Sequence, residues 1–214
     1  MDLENPAGAG ILAIWNDCGS GKEAAYEAWY QGEHLRERLG VPGFRIGRRL
    51  RRIAGDGPEY FTYYEVDTPD VLSSPAYQKV LENPSPVTSA IMVDTLINMC
   101  RTVCRVTASY GPFRGGFAAT LSVADGVDLP TDLLAELAAD PAVARAEAWT
   151  ASEPPGGGGT KEEAIRGQDR KIAGALMVET LSAAAAHDAA QRLSAAVGVD
   201  AEVGVYRLMC ELTA

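Results

Sequence analysis

The stretch from Glu27 to Arg52, EAWYQGEHLRERLGVPGFRIGRRLRR, decides the reading of this chain. It holds Trp29, Tyr30, one of the two histidines and seven arginines within a predicted helix, turn and strand. Lys22 to Leu39 reads as a helix whose apolar line is Ala25, Ala28, Gly32, Leu35 and Leu39, the three-to-four spacing of a core-facing stripe. At about 100° per residue, Tyr26, Tyr30, Glu33 and His34 fall on the flank or far side of that line, with Trp29 at its margin. The helix therefore needs a second cover. Val41-Pro42-Gly43 ends it, because the residue before proline leaves the helical region and glycine tolerates positive φ. Phe44 to Ile53 then alternates as a strand, with Phe44, Ile46, Arg48, Leu50 and Arg52 on one face and Arg45, Gly47, Arg49 and Arg51 on the other. Arginine on both faces suits an edge strand.

Outward from this stretch, Ile11 to Asn16 reads as a preceding strand, and Tyr60 to Val66 (YFTYYEV), Pro75 to Leu81 and Leu96 to Val106 as strand, helix and strand. The order is βαββαβ. It recurs as Gly116 to Val123, Thr131 to Ala139, Val143 to Thr150, Lys171 to Glu179, Ala183 to Val197 and Val203 to Leu212. Local matches keep the same order: Val66-Asp67-Thr68 with Val178-Glu179-Thr180, Leu81 with Leu193, and Arg101-x-x-Cys104-x-Val106 with Arg207-x-x-Cys210-x-Leu212. The expected fold is α+β, with two tandem ferredoxin-like repeats at residues 1–109 and 110–214. Tyr110 to Gly116 links them. Ser152 to Gly159 (SEPPGGGG) is predicted mobile, and Thr160 and Glu163 have the spacing of a capping box that starts a helical turn through Arg166.

A composition of 47% hydrophobic and 22% charged residues is that of an ordinary globular protein. The net charge of -10 repels polyanions and argues against a nucleic-acid partner. The N-terminus carries no secretory pattern and no run approaches the length of a membrane span, so a cytoplasmic protein without a membrane partner is expected. Cys100 and Cys104 lie about 13 Å apart if both are on one strand, which makes them buried thiols rather than a metal pair or disulfide. The Gly-Lys stretches at Gly21-Lys22 and Gly156 to Lys161 lack the spacing of a phosphate loop.

A tandem βαββαβ order with Trp29-Tyr30-x-x-Glu33-His34, then Val41-Pro42-Gly43-Phe44 and a basic strand, resembles the dimeric α+β barrel superfamily, and within it the EthD-like proteins. The resemblance implies that the repeats pair sheet against sheet as an intramolecular pseudo-dimer. It implies one site per chain, because the first helix of the second repeat carries no Trp, Tyr or His. Members of the superfamily include cofactor-free monooxygenases, cyclases, isomerases and haem-handling enzymes.

On that resemblance His34 is the candidate acid or base, with Glu33 beside it and Tyr30 one turn back; the alternative is a histidine that packs at the interface between repeats. Arg48 or Arg52 would hold an anionic group of the ligand, or else the arginines guard an edge and pair with acidic residues. Trp29, Tyr30 and one of Tyr63 or Tyr64 would line an apolar pocket, Tyr63 and Tyr64 being core residues otherwise. The expected partner is a small anionic or aromatic molecule, without a cofactor or metal. Two further readings follow: a binding or assembly module whose helix aromatics form a homodimer interface, and a haem protein with His34 as axial ligand.

Overall fold

In the computed structural model, which describes residues 9–124, 127–152, 160–197 and 201–214, eight antiparallel strands close into a barrel. They are β1 (Gly10–Cys18), β2 (Phe44–Gly55), β3 (Tyr60–Val66), β4 (Leu96–Tyr110), β5 (Phe117–Val123), β6 (Val143–Ala151), β7 (Gly174–Thr180) and β8 (Ala201–Thr213). Around the ring they run β1-β3-β2-β8-β5-β7-β6-β4. Each half keeps the ferredoxin-like order, β4-β1-β3-β2 and β6-β7-β5-β8, and the halves meet at two seams, β2 with β8 and β4 with β6. The α+β barrel pseudo-dimer expected from the sequence is the fold. The predicted edge is not: β2 pairs with β3 on one side and β8 on the other, because a closed ring has no edge. The segment 153–159, most of the stretch expected to be mobile, lies outside the described residues.

Alternation along the strands divides the buried side chains into three layers. Trp15, Leu50, Phe61, Tyr63, Trp149 and Tyr206 fill the barrel. A second layer, including Leu12, Ile14, Tyr60 and Tyr64, lies outside the sheet under the helices of the first half, and a third lies under α5 (Asp132–Ala138) and α7 (Ala183–Val197). A register shift between Phe44 and Ile46 puts Phe44 in the outer layer, against Tyr64 and Tyr77, while Leu50 points into the barrel. Phe44 and Leu50 therefore do not share a face as plain alternation predicts.

The first helix runs through α1 (Glu23–Trp29), a wider π turn at Tyr30–His34, and α2 (Leu35–Leu39). Its buried side is Tyr26, Trp29, Tyr30, His34, Leu35, Arg38 and Leu39, while Ala25, Ala28 and Gly32 are exposed. The alanine-glycine line is thus overturned in its first three positions. Aromatic side chains remove far more apolar area from water than alanine does, and the π turn rotates the residues after it toward the sheet. Gly47 on β2 permits the close approach: a Cβ there would stand 2.8 Å from Leu35 Cδ2 and 2.9 Å from Tyr64.

Two short helices follow, α3 (Pro75–Glu82) and α4 (Pro86–Asp94). Each starts with serine then proline, and the serine hydroxyl accepts from a backbone N–H of the first turn, Ser74 from Tyr77 at 3.2 Å and Ser85 from Thr88 at 3.0 Å. The sequence reading missed α4. In the second half, α6 (Lys161–Arg166) forms at the predicted capping box, with Thr160 Oγ1 accepting from the Glu163 N–H at 3.3 Å. It packs across α3 and α4 of the first half.

Candidate functional site

One small cavity lies where the first helix, the sheet, α3, α4 and α6 converge. It measures about 20 Å³, room for about one water, and is bordered by Trp29, Tyr30, His34, Arg38, Tyr64 and Tyr77 among others. Of these, His34 Nδ1, Arg38 Nη1 and the Tyr64 hydroxyl are buried polar atoms with no hydrogen-bond partner among the described residues. Buried polar groups are normally paired, so three around one cavity mark it as a polar receptor within an apolar wall.

His34 is wedged between aromatic rings, its centroid 4.1 Å from Trp29 and 5.1 Å from Tyr30. Its Nε2 accepts from Arg38 Nε at 3.5 Å, which leaves the proton of the neutral ring on Nδ1. Burial, and then the charges of Arg38, Arg49, Arg166 and Arg101, hold its pKa well below the usual 6.5. His34 is therefore a neutral N–H donor at physiological pH. Burial raises the Tyr64 phenol well above its ordinary range, so it too keeps its proton. With Arg38 Nη1, three donors stand at the residues around the cavity, His34 Nδ1 having the Glu37 carboxylate 3.9 Å away, and they suit an oxygen that carries or develops negative charge.

Arg38 is placed chiefly by one carboxylate: Nη2 donates to Glu162 Oε1 of α6 at 2.5 Å, both side chains being buried, while the Glu37 carboxylate of its own helix stands farther off at 4.0 Å and its guanidinium lies 5.7 Å from the Tyr77 ring centre. Against the pull of burial, Glu162 keeps the Arg38 pKa above its ordinary range. The Tyr77 hydroxyl accepts from Arg101 at 2.9 Å. Arg166 pairs with Asp169 through two contacts, 2.8 and 2.5 Å. Sequence reasoning singled out none of these. The signal present was the capping box of α6; that its carboxylate lands 124 residues away on Arg38 has no local trace.

Of the residues expected at a site, Trp29, Tyr30, His34 and Tyr64 meet at this cavity; Glu33, Arg48, Arg52 and Tyr63 do not border it. Glu33 Oε1 accepts from Thr88 Oγ1 at 2.9 Å and from Ser85 Oγ, while Thr88 accepts from Trp29 Nε1 at 2.9 Å. It pins α4 and, through Thr88, fixes Trp29. Arg48 is inside the barrel, paired with Glu179 and with Glu211 at 2.7 Å, and donates to the Gly115 carbonyl at 2.7 Å. Tyr63 donates to Glu179 at 2.6 Å. The barrel is packed with rings, such as Trp15 on Phe61 at 4.8 Å and Tyr63 by Trp149 at 5.6 Å, so these groups are structural. Arg52 is exposed, donates to the Gly57 carbonyl and borders a separate polar groove with Asp17, Asp56 and Arg170. Arg49, on the outer face, is bound to Glu27 at 2.7 Å and stacked 3.7 Å over Tyr30, which it holds in place. Trp29, Tyr30 and His34 are all buried within the chain, which removes them from any homodimer interface.

No family model matches the sequence, and no curated protein matches it. Solved structures do. The chain is similar to an anthrone oxidase-like protein, with TM-score 0.56 and 10% identity over 100% of this chain and 95% of that one. It is similar to a candidate monooxygenase of Fusobacterium nucleatum, with TM-score 0.57 and 9% identity over 97% and 95%. A candidate chlorite dismutase gives TM-score 0.52 and 13% identity over 94% and 95%. At such identities the likeness is one of fold, that of the dimeric α+β barrel group. Among the described residues no helix is long and apolar enough to cross a membrane.

Proposed function

We propose that the chain is an EthD-like protein that binds a small, mostly apolar molecule, aromatic or polyketide-like, at the cavity under its first helix and acts on it without a cofactor by proton transfer. The observation that carries this reading is the trio of unpartnered buried donors at His34, Arg38 and Tyr64 around one cavity. They would donate to an enolic or phenolic oxygen and stabilise its anion. Neutral His34, with its proton on Nδ1, acts as hydrogen-bond donor and general acid. The resemblance carried by Trp29-Tyr30-x-x-Glu33-His34 supports the same place, and the names of two fold neighbours, anthrone oxidase-like and monooxygenase, point to the same class of compound.

Haem does not fit these residues. Arg38 occupies His34 Nε2, and the ring is wedged between Trp29 and Tyr30.

The test is a turnover screen of anthrones, polyphenols and enolisable lactones, followed by absorbance and oxygen uptake. With any compound turned over, His34→Ala should lower the rate by about 10²-fold while the protein stays folded. A rate unchanged in that variant removes His34 from the chemistry.

A further inference from the structure

The cavity admits little more than a water, so a larger ligand needs a wall that moves. Most of the wall belongs to the sheet or to the first helix, whose aromatic side chains are buried in the outer core. Helices α3 and α4 add Tyr77 and Met92, both buried, and the remaining piece is α6. It has six residues, too few for a helix stable by itself. Its buried side chains are Glu162 and Arg166, the latter paired with Asp169; Ile165 is partly buried, and Lys161 and Ala164 are exposed. What ties it to the first helix is the Arg38–Glu162 ion pair, and to α3 the Lys161 N–H that donates to Glu82 at 3.3 Å.

If α6 lifts, Arg38 loses its hydrogen-bonded carboxylate and keeps only Glu37, 4.0 Å away and a quarter exposed. Arg101, whose partner among the described residues is the Tyr77 hydroxyl, stands on the same wall and supplies no anion. A neutral ligand would leave two guanidiniums and a neutral imidazole around it, and an unpaired buried charge is costly. An anionic ligand restores the balance. We propose that Glu162 is a built-in competitor for Arg38, and that the ligand of this cavity is a monoanion whose charged oxygen takes the place of the Glu162 carboxylate while α6 moves aside. This rests on the reading of the cavity as the binding site and adds the ligand's charge and the group it displaces.

Glu162→Ala tests it, with acetate titrated against chloride at constant ionic strength. Acetate should raise the melting temperature of Glu162→Ala, and should do so neither in wild type nor in the Arg38→Met/Glu162→Ala double variant, which removes both members of the ion pair. In calorimetry, p-hydroxybenzoate should bind Glu162→Ala about tenfold or more tighter than wild type, because the competing state is removed. The isosteric p-hydroxybenzamide should gain nothing. An acetate effect equal in all three proteins, or equal gains for acid and amide, overturns the proposal. If neutral phenols still bind in a manner that needs His34 and Tyr64, the cavity reading survives that failure. No binding of either probe to any variant overturns both.

Discussion

Glu179 in the barrel gives the strongest test of how this fold is held. Its side chain is fully buried; Oε1 accepts from Tyr63 at 2.6 Å and pairs with Arg48, and Oε2 accepts from the Gly115 N–H at 3.1 Å. Glu179→Ala breaks all three contacts at once and leaves Arg48 with Glu211 as its one carboxylate, a side chain 35% exposed, beside the neutral Gly115 carbonyl and Tyr63 hydroxyl. Breaking a buried ion pair from one side costs about 3–5 kcal/mol. Because Glu211 remains, the lower end applies, about 3 kcal/mol. At about 2–4 °C per kcal/mol for a chain of this size, the melting temperature should fall by about 6–12 °C. The comparison is Glu211→Ala, whose pair is half in solvent and should cost about 1 kcal/mol or less. Urea unfolding and scanning calorimetry measure both. The double variant Arg48→Met/Glu179→Leu should recover most of the loss, since an apolar pair of similar volume avoids desolvating charge. If Glu179→Ala loses no more than Glu211→Ala, the carboxylate is not what anchors this end of the barrel.

Tyr64→Phe deletes a buried hydroxyl that has no partner, so stability should stay level or rise by up to about 1 kcal/mol in urea unfolding while ligand turnover falls. Glu33→Ala should cost about 1–3 kcal/mol and speed amide exchange across α4, because Ser85 and Thr88 lose their acceptor. His34 is held neutral among Arg38, Arg49, Arg101 and Arg166, with Glu37 Oε2 3.9 Å away, so its folded pKa lies below the unfolded 6.5. Between those two values the unfolded chain binds the extra proton. Stability should therefore fall as pH drops below about 6.5, by up to about 1.4 kcal/mol per pH unit, and His34→Gln should remove that slope in a series of melts.

Much of the fold was legible. The aromatic run of β3 and the alanine-rich run of α7 have the predicted limits, and the order of the elements follows from turns and periodicity. The face of the first helix was not, because spacing weighs Ala25 and Tyr26 alike, whereas the sheet selects the side chain that covers more area. Helix α4 was passed over although Ser85-Pro86 announces it; its apolar residues Ile91, Met92 and Val93 stand side by side and have no clear stripe. At the site, Trp29, Tyr30, His34 and the choice between Tyr63 and Tyr64 were within reach, the last settled by the barrel alone. Arg38 reads in sequence as an ordinary charged helix residue. Its role depends on a carboxylate from the other half of the chain, which no local pattern can announce.

The seam between β2 and β8 also sets an order of assembly. Strand β8 (Ala201–Thr213) follows the whole of β3 to β7, so during synthesis β2 waits through the rest of its own half and most of the other before its second neighbour exists. Throughout that wait it is an open border on which another nascent chain could dock. Arg45, Arg48, Arg49, Arg51 and Arg52 lie along it, and like charges on two such borders repel. The finished ring has no edge to guard. The half-made one does, and the same arginines that later become the struts of the barrel and its first helix would act until then as its chaperone.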